Sequence, residues 1–320
     1  MGILKKSVLI MSMVMFTFVV MAQSIEEVGA KYNEGNGLYK EKDYTNAIAS
    51  YESGIELANE VGFEADDLKG TMQTQLMNAY YKNGTQYKKI GLDAAIASLE
   101  KAYALSKQLG DDAMTSKSAK TTAKLRSGKG NSLLKKNKVE EAFAEYEMAL
   151  EILPTCVNAY YGKGLVYKSK GDYKNMIINM DKAIELGADN PKAAKTVKKA
   201  KSTTSKTLVN AGAKEIQREH GKKAAEYINM SFNYAPGNAN AYYYLALAYS
   251  KTNSWDDAIT AANKAVGMET GDKGDMYFAL GQAYEGKGDA AGACTAYKSV
   301  TTGPNIEAAK YQMTQVLKCN

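Results

Sequence analysis

The chain has 320 residues, of which 45% are hydrophobic and 24% are charged, with a net charge of +6 at pH 7. This is an ordinary globular composition, and the length allows a large core. The positive excess is mild and argues against a nucleic-acid-binding protein. The 4 prolines in this length favour helix throughout, because proline breaks helix interiors.

The N-terminus has the features of a targeting segment. Two lysines precede an apolar stretch from Val8 to Met21. Val20 and Ala22 then supply small residues at the −3 and −1 positions of a cleavage site. The stretch is too short to span a bilayer comfortably. We therefore predict a signal peptide over residues 1–22 and a periplasmic or secreted protein that begins at Gln23, with no transmembrane span after cleavage. An uncleaved anchor is the alternative, and the absence of a following Cys argues against a lipid anchor.

A four-residue motif returns along the chain. Asn-Ala-Tyr-Tyr begins at Asn78, Asn158 and Asn240, and each copy opens a helix–turn–helix pattern of about 34 residues. In the copy at 157–190, a Gly-Asp turn separates the two helices. Self-similarity at this period indicates a repeat array, whose function depends on an extended surface.

The repeated spacing resembles that of a known family. One copy of the pattern contains Leu280-Gly281, Tyr284, Gly288 and Tyr297. Another copy lies at residues 139–154. Both resemble the tetratricopeptide repeat (TPR) family. The resemblance implies an all-α fold, a right-handed α-solenoid of about seven helix–turn–helix repeats with a C-terminal capping helix.

We place the repeats in one solenoid domain that covers residues 23–320. The repeats are at about 28–61, 77–109, 123–156, 157–190, 205–238, 239–273 and 274–304, and the capping helix is at 305–318. The copy at 77–109 lacks one residue in its turn.

Three joints between repeats contain about 14 extra residues, at 62–76, 110–122 and 191–204. Leu68 and Leu76 lie eight residues apart with Met72 between them, which is helical spacing. We predict that each insert lengthens the first helix of the following repeat. A flexible loop is the alternative, favoured at 110–122 by its Ser, Thr and Lys content.

The three cysteines are Cys156, Cys294 and Cys319. Antiparallel helices bring Cys294 and Cys319 toward one end of a hairpin, so a disulfide between them is one interpretation. In a simple antiparallel hairpin, however, Cys319 lies about five residues beyond the position opposite Cys294. The alternative is three buried, inert thiols.

No catalytic constellation can be assembled from the sequence. The single histidine, His220, stands alone in a polar segment that favours a surface or turn position. Neither a phosphate loop nor a dinucleotide motif is present, and no spacing resembles a zinc site. We therefore predict a protein that is not an enzyme and needs no cofactor or metal.

The resemblance also implies a binding surface. In TPR arrays the first helices line the concave face, and the fifth position of each repeat points into the groove. Five of the seven residues at that position are aromatic, and the other two are Ser127 and Val209. The aromatic five are Tyr32, Tyr81, Tyr161, Tyr243 and Phe278.

Such a ladder suits an extended peptide or an apolar helix, because rigid rings give contact area at low entropic cost. The alternative is a register off by one residue, with these rings in the core. The carboxylate clamp of some family members is expected to be absent. Asn36 and Asn131 fall at its ninth position, but Tyr32 and Ser127 replace its lysine.

A basic patch is a second candidate site. Four lysines recur near the third insert, at Lys192, Lys195, Lys198 and Lys199. A similar upstream run consists of Lys117, Lys120, Lys124, Arg126 and Lys129. Either run could meet an anionic partner, and a solvated helix face is the alternative.

The leading functional hypothesis is a non-catalytic scaffold of the bacterial cell envelope. It would bind partner proteins or peptides of the envelope through the concave, Tyr-rich face. A glycan- or envelope-polymer-binding protein, with an anionic polymer as one such ligand, is the alternative, because tyrosine faces stack on sugars. A self-assembling structural component is a third hypothesis. Nucleic acid is not an expected partner.

Overall fold

A computed structural model describes residues 25–319 of the chain. The predicted signal peptide lies outside the described residues. Every regular element in the described part is helical, which confirms the all-α class. Among these residues, no helix has the length and apolar character needed to cross a membrane.

Sixteen α-helices follow one another through the described chain. They are α1 (25–40), α2 (Tyr44–Val61), α3 (Asp66–Thr85), α4 (Tyr87–Ile90), α5 (Leu92–Leu109), α6 (Asp112–Lys135), α7 (Val139–Ile152), α8 (Val157–Lys170), α9 (Tyr173–Gly187), α10 (Ala194–Gln217), α11 (Gly221–Ser231), α12 (Ala239–Ser250), α13 (Trp255–Met268), α14 (Gly274–Lys287), α15 (Ala290–Lys298) and α16 (Ile306–Tyr311). A 3₁₀ turn (Phe63–Ala65) precedes α3, and a π-helical turn (Gln312–Val316) follows α16.

The chain falls into two compact units, one up to Gly162 and one from Lys163. The first unit contains α1 to α7 and the start of α8. A core cluster around Tyr51 and Met72 lies in this unit. The second unit contains the rest of α8 and the later helices, with a core cluster around Ile228 and Leu245.

A close approach of two helices recurs within the repeats. A glycine at the eighth position of the repeat, in its first helix, faces a side chain sixteen residues later in the second helix. The pairs are Gly35–Tyr51, Gly130–Tyr146, Gly164–Met180, Gly212–Ile228 and Gly281–Tyr297. A Cβ on any of these glycines would lie 2.5 to 2.8 Å from the facing side chain. Glycine therefore lets each hairpin close, and the contact fixes the register of the repeat.

The second repeat differs in the expected way. Gly84 faces Leu99, fifteen residues later, because its turn is one residue shorter. Its first helix is also interrupted: α3 ends at Thr85, and α4 resumes at Tyr87. Gly91 then takes a φ of 86° before α5 begins.

The turns between paired helices use a polar cap. Gly171 has a φ of 72°, and the Asp172 carboxylate accepts a hydrogen bond from Asn175 N at 3.0 Å. Asp43 and Asp289 cap α2 and α15 in the same way. These caps satisfy backbone donors that the helix itself leaves free.

The three inserts are largely helical. They form the first turns of α3, α6 and α10, which are 20, 24 and 24 residues long. Even the Ser/Thr/Lys-rich insert is helical from Asp112, where Asp111 accepts from Met114 N at 2.8 Å. The predicted helical extension is therefore confirmed over these spans, and the loop alternative is wrong.

The C-terminal segment closes on the last hairpin. Cys294 and Cys319 are joined by a disulfide, with their Cα atoms 5.8 Å apart. The chain after α15 passes through a loop, the short α16 and the π-helical turn. This path takes up the extra residues that a simple hairpin register leaves over. Cys156 is a buried free thiol.

Candidate binding surface

The fifth-position rings of the first unit are half-buried. Tyr32 packs against the core cluster that contains Tyr51. Tyr161 stands beside Tyr146, a fully buried ring whose hydroxyl pKa is raised by burial and, less strongly, by Tyr161. Each ring therefore combines a packed side with a part that solvent reaches.

Tyr81 is partly covered by the second insert. Lys117 Nζ lies 4.6 Å from the centroid of the Tyr81 ring, and Thr121 Oγ1 lies 3.4 Å from its hydroxyl. Both residues belong to the lengthened start of α6. The insert thus places a cation against this ring. At the corresponding position of the next repeat, Ser127 is buried, with its Oγ 3.5 Å from Cys156 Sγ.

The second unit holds Tyr243 and Phe278. Tyr243 packs on a small cluster around Ala265, and its ring centroid lies 5.4 Å from that of Tyr244. Burial raises the pKa of Tyr243, with smaller contributions from Asp275 and Tyr244. The Phe278 ring lies 5.6 Å from that of Tyr297. These two rings are also half-buried.

The side-chain amides of Asn36 and Asn131, at the ninth position of their repeats, form hydrogen bonds within the protein. Tyr51 donates a hydrogen bond to Asn36 Oδ1, and Tyr146 donates one to Asn131 Oδ1, each at 2.8 Å. Their carbonyl groups thus orient core tyrosines, a role that the sequence did not indicate.

The two basic runs differ in structure. Lys192, Lys195, Lys198 and Lys199 are all exposed, and none forms an ion pair with a described residue. In the upstream run, Arg126 instead binds Glu100 and Glu145. Lys129 binds Glu145 at 2.6 Å and Asp93 at 2.7 Å. Arg126 and Lys129 of that run therefore form ion pairs between helices and do not belong to a merely solvated face.

A cleft of about 420 Å³ opens in the second unit beside Val209, the fifth-position residue of its repeat. Its walls come from α10, the segment after α11, and the start of α12. Hydroxyl, amide and ammonium groups make up the polar part of the lining. They belong to Ser202, Ser205, Lys206, Asn210, Ser231, Asn238, Asn240 and Tyr244. Sequence reasoning missed this cleft, because its walls are far apart along the chain.

His220 lies at the turn before α11, where its ring is exposed. Its Nδ1 is 2.8 Å from Glu215 Oε2. This hydrogen bond, and then the charges of Lys223 and Arg218, lower the pKa of Glu215. Within residues 25–319, no group of three or more His, Cys, Asp or Glu side chains is placed to hold a metal ion.

The stacked helical hairpins define a helical-repeat protein. Family models described as TPR repeat or Tetratricopeptide repeat match residues 130–171, 157–190, 223–273 and 245–305. Residues 130–190 and 223–305 of the chain therefore match the tetratricopeptide repeat family. Proteins of this family are generally non-catalytic scaffolds that bind proteins or peptides.

Several solved TPR structures are similar to this chain. One, "YrrB: a TPR protein with an unusual peptide-binding site", has 20% identity and a TM-score of 0.39, covering 59% of this chain and 91% of its own. A TPR protein from Parabacteroides merdae has 17% identity and a TM-score of 0.31, covering 93% and 100%. MamA from Desulfovibrio magneticus has 23% identity and a TM-score of 0.36, covering 59% and 96%. A comparison with curated proteins finds no match.

Proposed function

We propose that this protein is a non-catalytic scaffold of the bacterial cell envelope. It binds partner proteins or peptides through the aromatic residues at the fifth position of its repeats. The observation that carries this proposal is their shared placement. All five rings are half-buried at one repeat position, and glycine contacts fix the register of four of their repeats, those of Tyr32, Tyr81, Tyr161 and Phe278.

Half-buried aromatic rings suit reversible binding. The packed side of each ring holds it in place, so little side-chain entropy is lost when a partner covers the rest. Ring faces also supply apolar area, which protein interfaces enrich. This supports a protein or peptide ligand over a small-molecule substrate.

The envelope location rests on the predicted signal peptide. The test is the intact mass of the protein recovered from the periplasm or the medium. We expect a chain that begins at Gln23. A full-length chain held in the membrane fraction would instead indicate an uncleaved anchor.

The binding surface is tested by in-cell cross-linking of a tagged protein, followed by mass spectrometry. The variant carries Tyr81→Ala, Tyr161→Ala and Tyr243→Ala. We expect it to lose defined envelope proteins that the parent captures. Circular dichroism and the unfolding midpoint establish that the variant is folded.

A matched control removes three half-buried tyrosines from second helices: Tyr103→Ala, Tyr173→Ala and Tyr227→Ala. This control should keep the captured partners. Equal loss in both variants, or loss in neither, would contradict the assignment of the fifth position. Capture of glycan or peptidoglycan fragments alone would favour the polymer-binding alternative.

A further inference from the structure

We propose that one face of α10, together with the cleft beside Val209, binds an extended acidic segment of a partner protein. This inference rests on the proposed scaffold function and names the chemistry of the ligand in the second unit.

The basic residues and the cleft share one helix face. Lys195, Lys199, Ser202, Lys206 and Val209 recur at intervals of three, four or seven residues, which places them on one side of α10. Ser202, Lys206 and Val209 line the cleft. The lysines thus continue the cleft wall toward the start of the helix, with Lys198 at the edge of the same face.

The charge on this face is uncompensated. No Asp or Glu lines the cleft. Lys195, Lys199 and Lys206 are exposed, and none forms an ion pair with a described residue. Three ammonium groups along one wall attract a ligand that carries several negative charges.

The lysine spacing matches an extended peptide. At 1.5 Å per helical residue, Lys195 and Lys199 are about 6 Å apart along the axis, and Lys199 and Lys206 about 10 Å. An extended chain advances about 3.3 Å per residue. Carboxylates at i, i+2 and i+4 of a bound segment lie on one side of the extended chain, within reach of the three long lysine side chains.

The cleft supplies hydrogen-bonding groups for a peptide backbone. Asn210 and Asn240 are exposed at its edge, and neither side chain makes a hydrogen bond to a described residue. A free amide has both a donor and an acceptor, which matches a peptide group. Tyr244 is the sole aromatic side chain of the lining, and its ring lies against Tyr243. That arrangement favours a peptide over a stacked sugar ring.

The test is the affinity of the full mature protein for a fluorescent peptide with glutamates at i, i+2 and i+4. A second peptide has glutamine at the same positions. We expect the acidic peptide to bind more tightly, with an affinity that falls as salt rises. Lys199→Ala with Lys206→Ala should weaken it about fivefold to twentyfold, since each exposed ion pair contributes up to about 1 kcal/mol.

The matched control removes two exposed lysines of α10 that lie outside this face, Lys201→Ala and Lys214→Ala. It should bind the acidic peptide nearly as the parent does. Equal affinity for both peptides, or equal weakening by both variants, would overturn the proposal. So would binding of an acidic oligosaccharide in place of the peptide. Partner capture that needs the fifth-position tyrosines but not Lys199 and Lys206 would overturn this inference alone.

Discussion

Arg126 Nη1 of α6 lies 2.8 Å from Glu145 Oε2 of α7, and the two side chains are only 12% and 7% exposed. The same guanidinium donates through Nε to Glu100 of α5 at 2.7 Å. One planar side chain therefore joins three consecutive helices of the first unit. An arginine fork can do this because it offers several donors in fixed directions.

We expect Arg126→Met to lower the free energy of unfolding by about 3 kcal/mol, because Glu145 would remain buried with weaker compensation. Urea denaturation measures the change. The control is Lys138→Ala, which removes an exposed pair with Glu141 and should cost less than about 1 kcal/mol. Equal losses would show that burial of the Arg126 pair has no energetic consequence.

Alanine substitutions at two helical glycines should change the stability in opposite directions, because only one of them is packed against a side chain, that of Tyr146. A Cβ at Gly162 would overlap Tyr146 Cε1, so Gly162→Ala should cost about 1–3 kcal/mol of stability. Gly128 lies within helix α6, and a Cβ added to it would have no neighbouring atom within 4 Å. There, Gly128→Ala should stabilise by about 0.5–1 kcal/mol. Thermal or urea unfolding of both variants gives the two signs, and two changes of the same sign would contradict the packing.

The disulfide predicts a redox-dependent C-terminus. Cys294 and Cys319 are 25 residues apart in sequence, and a link of that length stabilises by about 3 kcal/mol. Cys294→Ser with Cys319→Ser should speed hydrogen exchange in residues 306–319 and lower the unfolding midpoint. A reductant should act on the parent and leave the double variant unchanged. A parent that does not respond would mean that the bond contributes little.

Buried tyrosines predict a loss of stability at alkaline pH. Burial raises the pKa of Tyr51 to about 12, so this residue ionises in the unfolded chain near pH 10 and in the folded protein only later. Its contribution is complete below about pH 10 and is lost as the pH rises toward about 12, by up to about 2–3 kcal/mol.

The measurement is the urea midpoint from about pH 9 to about pH 11.5. Tyr51→Phe loses the hydrogen bond to Asn36 at every pH, but it should show a shallower alkaline fall. The other buried tyrosines, among them Tyr146 and Tyr297, add to the slope that remains. Parallel curves for parent and variant would contradict the raised pKa of Tyr51.

Several sequence predictions depended on short-range patterns. The Gly-Asp turn at Gly171 and Asp172 separates the two helices as predicted, and the residue missing from the second repeat shortens the Gly84–Leu99 spacing by one. The basic runs could not be distinguished in this way. Arg126 and Lys129 of the upstream run meet carboxylates from other helices, whereas the lysines near the third insert meet none in the described residues.

The sequence by itself determined the helical hairpins and their repeat spacing, because helix periodicity and turn chemistry are local properties. It left the insert at 110–122 open between a helix and a loop. Only the tertiary structure decided how far each fifth-position ring is covered, which cations are paired and where a cleft opens. Lys117 reaches Tyr81 from 36 positions away in sequence. The cleft beside Val209 needs the start of α12 as its far wall. Such contacts depend on how separate helices pack, which no local pattern encodes.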